Sequence, residues 1–234
     1  MARVTLARSS ERDGWSPLAD PPGVRGSGGA EREIFASPDG RFAAGLWERE
    51  PDTWSFERPH DEVSFIISGA AEIETPSGQL HRIGPGAVFV TPRGSKGTWR
   101  ILEPVVKFWA TYETDEVSDP TVRVIHEGDP MTWSEIPTAE DDPNPPGEEW
   151  LAYRSEDGSF SAGVWRRVPE TGPMELPYDE LAILIEGDVD VSGSEGDAVT
   201  AGRGDVLVTP RGFAGTWRAR SAVRKFWVVH KHPA

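Results

Sequence analysis

Two glutamates, Glu62 and Glu180, open matching apolar segments, Glu62-Val-Ser-Phe-Ile-Ile67 and Glu180-Leu-Ala-Ile-Leu-Ile185. A carboxylate embedded in such a strand is a candidate general acid or base, because desolvation disfavours its charged form and raises its pKa. Two lysines, Lys107 and Lys225, sit mid-segment in Val106-Lys-Phe-Trp109 and Arg224-Lys-Phe-Trp227. Each either points inward to pair with a glutamate or faces solvent on the alternate side, and lysine's rarity in cores favours solvent. Trp99 and Trp217, each in Gly-Thr-Trp-Arg, could wall a pocket in which a planar ligand stacks, or could simply fill a core. His60 is the histidine nearest the first glutamate and could shuttle a proton or bind a ligand; its counterpart is Tyr178. His230-Lys-His232 has the alternating spacing of a metal-binding pair, at a chain end where fraying is expected. His81 and His126 carry no context. The 234 residues include no cysteine, which removes disulfides, zinc ribbons and thiol catalysis. No phosphate loop, Gly-x-Ser-x-Gly elbow or nucleophile–base pair is present.

These candidates come in pairs because the chain is written twice. Trp47-Glu-Arg-Glu-Pro51 recurs as Trp165-Arg-Arg-Val-Pro169, 118 residues on. The same offset aligns Gly86-Ala-Val-Phe-Val-Thr-Pro-Arg-Gly94 with Gly204-Asp-Val-Leu-Val-Thr-Pro-Arg-Gly212. About 33 of the 75 positions from Ala36 to Ala110 are identical in the second copy without a gap, which leaves no room for chance. The repeat is far too long for a solenoid, so two domains of one fold are expected, 1–117 and 118–234. The copies differ where specificity would reside: Trp54 faces Gly172, Phe56 faces Met174 and His60 faces Tyr178. If one half alone is active, His60 and Trp54 favour the first.

Within each copy, short apolar runs alternate with turn residues such as Asp39-Gly40, Pro76-Ser-Gly78, Gly84-Pro-Gly86 and Pro92-Arg-Gly94. Seven or eight strands per copy, with no amphipathic helix, predict a β-sandwich or barrel. Pro21–Gly29 and Asp141–Gly147 read as loops, and Tyr112–Pro120 as the connector. The net charge of −15 and pI of about 4.8 repel phosphate backbones and anionic lipid, so nucleic acid and membranes are not expected partners. Residues 1–13 are polar with three arginines and show no signal-peptide pattern, and a cytoplasmic location is expected.

The motifs resemble the cupin superfamily, whose domains are double-sheet jelly rolls. A glutamate followed after six residues by glycine is seen as Glu62 to Gly69 and Glu180 to Gly187. A glycine, five residues and Pro-x-Gly is seen as Gly86 to Pro92-Arg-Gly94 and Gly204 to Pro210-Arg-Gly212. The tails Gly-x-x-Gly-Thr-Trp-Arg and Lys-Phe-Trp are similar to the subfamily that includes ureidoglycine aminohydrolase and the ethanolamine-utilisation cupin. The resemblance implies an all-β fold of two tandem cupin domains related by duplication, with Glu62 and Glu180 facing the barrel interiors.

Metal-binding cupins carry two histidines on the strand before that glutamate. The matching positions are Ser55 and Glu57, or Phe56 and Arg58; in the second copy they are Pro173 and Glu175, or Met174 and Leu176. The second-motif histidine falls at Gly97 and Gly215. No histidine-based metal site and no cofactor are therefore expected; the paired glutamates could hold a hard divalent cation weakly.

The expected function is a bicupin that acts on or binds a small polar metabolite. In the enzyme form, Glu62 or Glu180 serves as acid/base, assisted by Glu57 or Glu175, at a carbon–nitrogen centre. In the alternative form the bicupin is non-catalytic, binding a small molecule or serving a structural or regulatory partner. Trp99, Trp217, Tyr178, Lys107 and Lys225 are the expected ligand contacts. The chain is expected to be a monomeric pseudo-dimer or a homodimer.

Overall fold

The computed structural model describes residues 2–19, 28–115, 119–126, 129–136, 147–194 and 196–232. The loops expected at 21–27 and 141–146, and residues 116–118 of the connector, lie outside the described residues. Every regular element described is a strand.

The contacts divide the chain into two compact units, a first of Arg12–Asp129 and a second of Met1–Glu11 with Pro130–Ala234. The opening strand β1 (Thr5–Arg8) thus belongs with the second unit. The first unit holds β2 (Ser16–Pro17), β3 (Gly29–Ala36), β4 (Phe42–Arg49), β5 (Thr53–Glu57) and β6 (Asp61–Glu74). It continues with β7 (Leu80–Ile83), β8 (Val88–Thr91), β9 (Lys96–Tyr112) and β10 (Arg123–Ile125). The second holds β11 (Ser134–Glu135), β12 (Glu148–Arg154), β13 (Phe160–Arg167), β14 (Thr171–Glu175) and β15 (Asp179–Glu186). It ends with β16 (Val189–Gly193), β17 (Ala198–Ala201), β18 (Asp205–Thr209), β19 (Ala214–Ala219) and β20 (Val223–His230).

In the first unit the long strands β6 and β9 pair along their whole length, and the sheet runs β10-β8-β6-β9-β4-β3-β2, with β5 added to β9 and β7 to β6. Register shifts between Ile66 and Ala71 mark where this ladder bends. In the second unit the same path is cut, giving one sheet β1-β18-β15-β20-β13-β12-β11 and another β14-β19-β16-β17. Val189, Val191 and Trp217 of the smaller sheet pack with Leu184, Leu207 and Val223 of the larger one to form the core between them. The motif glycines explain the bend. Gly69 and Gly187 have φ of +88° and +86°, and a Cβ there would lie 2.1 Å from Pro104 O and 2.3 Å from Ala222 O. Only glycine accepts both conditions.

The repeat boundary at 117/118 and the grouping by contacts differ for a specific reason. β1 pairs antiparallel with β18, Thr5 opposite Val208, and β10 pairs with β8, Arg123 opposite Val90. Thr5 and Arg123 are 118 residues apart, as are Val90 and Val208, so each copy's leading strand completes the sheet of the other copy's unit. Val4 and Ala7, 4% and 3% exposed, anchor this strand in the second unit.

Candidate functional site

In each unit the glutamate strand pairs with the lysine strand, β6 with β9 and β15 with β20. The registers place Ile66 opposite Lys107 and Glu62 opposite Thr111 in the first unit. They place Leu184 opposite Lys225 and Glu180 opposite Val229 in the second. Each lysine therefore starts two rows from its glutamate, on the same sheet face, and reaches back along the wall to meet it. Lys107 Nζ lies 2.5 Å from Glu62 Oε1, and Lys225 Nζ lies 2.6 Å from Glu180 Oε1. The expectation that these lysines face solvent is corrected: they are 5% and 8% exposed. A flanking tryptophan pair makes the inward position tolerable. Lys107 Nζ stands 5.2 Å from the Trp47 ring and 5.8 Å from Trp99; Lys225 Nζ stands 5.2 Å from both Trp165 and Trp217.

The two glutamates have different company. Arg58 Nη1 lies 3.0 Å from Glu62 Oε2, Arg58 Nη2 donates to Oε1 at 3.3 Å, and Ser64 Oγ donates to Oε1 at 2.9 Å. Burial alone would push the Glu62 carboxyl up, but Arg58, then Lys107, outweigh it and lower the pKa to about 2. The raised pKa expected of an interior acid/base is thus inverted in the first unit. Burial, reinforced by the Arg58 charge, lowers the pKa of Lys107 despite Glu62. In the second unit Arg58 is replaced by Leu176 and Ser64 by Ala182. Glu180, 9% exposed, keeps Lys225 as its side-chain partner, and its other oxygen bonds no described residue.

The surrounding space follows the same division. The first unit contains a cavity of about 360 Å³ bordered by Glu62, Lys107, Arg58, His60 and the tryptophans Trp47, Trp54, Trp99 and Trp109. Trp54 occupies much of this region, stacked on Trp99 with centroids 6.0 Å apart and planes at 10°, under the Arg49 guanidinium at 4.9 Å. The second unit contains a cavity of about 850 Å³ bordered by Glu180, Lys225, Glu149, Tyr178, Trp165, Trp217 and Trp227. Gly172 and Leu176, where the first copy has Trp54 and Arg58, also line it. Trp227 is held flat against Gly163, where a Cβ would meet its Cζ2 at 2.8 Å. The second unit therefore has the larger cavity, whereas His60 and Trp54 favour the first.

The remaining candidates fall as follows. Trp99 and Trp217 point inward, 2% and 8% exposed, and serve both core and cavity wall. His60 borders the first cavity, with Nδ1 3.3 Å from Glu113 Oε1. Tyr178 borders the second; burial, then Glu180 and Glu149, push its phenol up to about 12, so it is a neutral donor at ordinary pH. Glu57 and Glu175 lie away from the two cavities. On β5 and β14 the alternation turns Trp54, Phe56 and Met174 inward and these carboxylates outward, and Glu57 instead pairs with Lys96 at 3.1 Å. The fraying expected of His230-Lys-His232 is also corrected. His230 is 1% exposed on β20, its ring 4.5 Å from that of His232, and His232 Nε2 lies 2.7 Å from Asp179 Oδ2. Burial alone would push Asp179 up, but bonds from His230, the Arg211 amide and His232 lower it. Two imidazoles and a carboxylate are donors that divalent metals accept. Val229 and Lys231 are the alternating neighbours that border the cavity, so this cluster is not part of it.

Residues 36–109 and 154–227 each match the EutQ-like cupin domain. The chain belongs to that cupin family. It is an all-β bicupin of two duplicated jelly-roll domains. No curated protein matches the sequence. Among solved structures, a protein of unknown function from Pseudomonas syringae pv. tomato superposes with a TM-score of 0.76 at 21% identity, covering 98% of this chain and 100% of that one. The protein Ylba from E. coli superposes at 0.66 with 12% identity, covering 99% and 92%. Streptomyces albus HEPD, with 2-hydroxyethylphosphonate and Fe(II) bound, superposes at 0.66 with 9% identity, covering 99% and 76%. At these identities the likeness concerns the fold.

Iron in one relative raises the question of whether the bicupin barrels suit a metal, and their donors do not fit. Among the described residues the second cavity's wall contains no imidazole, and Lys225 already occupies one oxygen of Glu180. In the first, Arg58 and Lys107 already neutralise Glu62. Sequence reasoning missed Arg58 as the group that quiets Glu62. Its replacement by Leu176 at the fixed offset was the available signal.

Proposed function

We propose that this bicupin binds a small polar metabolite in the cavity of its second unit, while the first unit, with its smaller cavity, is a structural copy. One observation carries the reading: the cavity of about 850 Å³ is bordered by a Glu180–Lys225 pair with no further side-chain partner among the described residues, whereas the counterpart Glu62 is engaged by Arg58 and Ser64 beside a cavity of about 360 Å³. If the bicupin is also an enzyme, Glu180 is the candidate base and Tyr178 the neutral proton donor, at a carbon–nitrogen centre as the resemblance to ureidoglycine aminohydrolase suggests. Glu62, held ionised by two cations, supports a non-catalytic role for the first unit. The net charge of −15 speaks against anionic polymers as partners.

A thermal-shift screen of small polar metabolites tests this, run in parallel on the wild-type chain and on Gly172→Trp. Compounds that stabilise the wild type and lose their effect in Gly172→Trp support the reading. Stabilisation that Gly172→Trp leaves unchanged, while Trp54→Gly or Glu62→Gln alters it, contradicts it.

A further inference from the structure

We propose that the second-unit cavity is selective for a planar organic cation, a flat ring carrying an amidinium, guanidinium or protonated amine. The inference rests on the binding role just proposed and adds the chemistry of the ligand. Its source is the internal comparison that a duplicated chain provides. In the first unit the stacking wall and the glutamate are engaged by two side chains of the protein itself. One is a flat ring, Trp54, stacked on Trp99 at 6.0 Å. The other is a planar cation, Arg58, which contacts both oxygens of Glu62 at 3.0 and 3.3 Å.

The second unit keeps the receiving groups and deletes the occupants. Trp217 replaces Trp99 as the stacking wall and Glu180 replaces Glu62, while Gly172 and Leu176 stand where Trp54 and Arg58 would be. The vacated volume is part of a cavity of about 850 Å³. Glu180 is 9% exposed and Lys225 engages one of its oxygens, so the other is free among the described residues to accept from a ligand. The wall carries charges of both signs: Arg154 and Lys231 line it beside Glu149 and Glu180, and Arg167 is paired with Glu170 at 2.8 Å. Two features suit a cation with a flat face. Glu149 forms no ion pair with a described residue. Tyr178, Trp165 and Trp227 present aromatic surface.

Intrinsic tryptophan fluorescence titrations with benzamidine, benzoate and guanidinium on the full chain test the inference. Benzamidine combines ring and planar cation, benzoate keeps the ring with the opposite charge, and guanidinium keeps the cation alone. The expected result is binding of benzamidine at least about tenfold tighter than of either control. Leu176→Arg, which restores the first unit's own guanidinium, should abolish it, and Glu180→Gln should reduce the preference over benzoate by about tenfold. Should Glu180→Gln fail to fold, Leu176→Arg carries the test. Benzoate binding as well as or better than benzamidine, and blocked by Gly172→Trp, overturns the cation inference and leaves the cavity as the site. No response to any probe overturns the cation inference; the metabolite screen then decides the binding role independently.

Discussion

Lys225 and Glu180 form a 2.6 Å ion pair inside the second unit, and no other described residue bonds that carboxylate through its side chain. The equivalent pair, Lys107 and Glu62, is joined by Arg58 and Ser64. One duplication has thus produced a saturated buried pair and an unsaturated one. The saturated pair adds rigidity; the unsaturated pair faces a cavity and is available to a ligand.

The difference should appear in stability. Glu62→Gln leaves the buried Lys107 and the part-buried Arg58 without their counter-ion and should destabilise the first unit by about 3–5 kcal/mol. Glu180→Gln leaves only Lys225, beside a solvent-filled space, and should cost less. Urea unfolding of each variant, followed by tryptophan fluorescence, checks the order. An equal or larger loss for Glu180→Gln would be inconsistent with it.

Acid should affect the first unit through the same residue. The Glu62 carboxyl is lowered from 4.5 to about 2 in the folded protein. Its stabilising contribution is therefore present above about pH 4.5 and is lost as pH falls from there towards 2. The stability gap between wild type and Glu62→Gln should shrink by roughly 3 kcal/mol over that interval. A gap that stays constant from pH 6 to pH 3 would show that Glu62 is not held ionised.

Tyr178 reports on the second cavity. Its phenol is pushed up to about 12 by burial and by Glu180 and Glu149. Ultraviolet titration should show a phenolate forming well above pH 10, absent in Tyr178→Phe and shifted downward in Glu180→Gln. No shift in Glu180→Gln would mean that the two groups do not face each other.

The leading strand gives a prediction about folding units. β1 bonds β18 and buries Val4 and Ala7 in the second unit, so removal of residues 2–9 should expose the β18 edge. Hydrogen exchange should show lost protection at residues 205–209 with the first unit's strands β4 and β9 unaffected. Equal loss in both units, or none, would contradict the exchange of strands.

Much of the fold was legible from the residues. The fixed offset, the turn glycines and the strand-length apolar runs define two β domains, because turn chemistry and alternation are local properties. The site was less legible because it depends on register. Lys107 meets Glu62 only because β9 places it opposite Ile66, two rows away on the same face. Glu57 stands close to Glu62 in sequence, yet the parity of β5 turns Trp54 and Phe56 inward instead. The low pKa of Glu62 depends on Arg58, which arrives across the turn between β5 and β6, and no spacing rule announces that contact. His230 lies near the chain end, where fraying is expected, yet the pairing of β20 with β13 and β15 buries it.

The central claim is that the second barrel offers the ligand site, whereas Trp54 and Arg58 narrow the first and engage its glutamate. Native mass spectrometry tests it most directly, using the compound that most stabilises the wild type in the metabolite screen. Three chains would be compared: wild type, Gly172→Trp with Leu176→Arg, and Trp54→Gly with Arg58→Leu. The account predicts one bound ligand in the wild type, none in the filled variant and a second, weaker site in the emptied one. Binding retained by the filled variant, or lost in the emptied one while the fold persists, would contradict it.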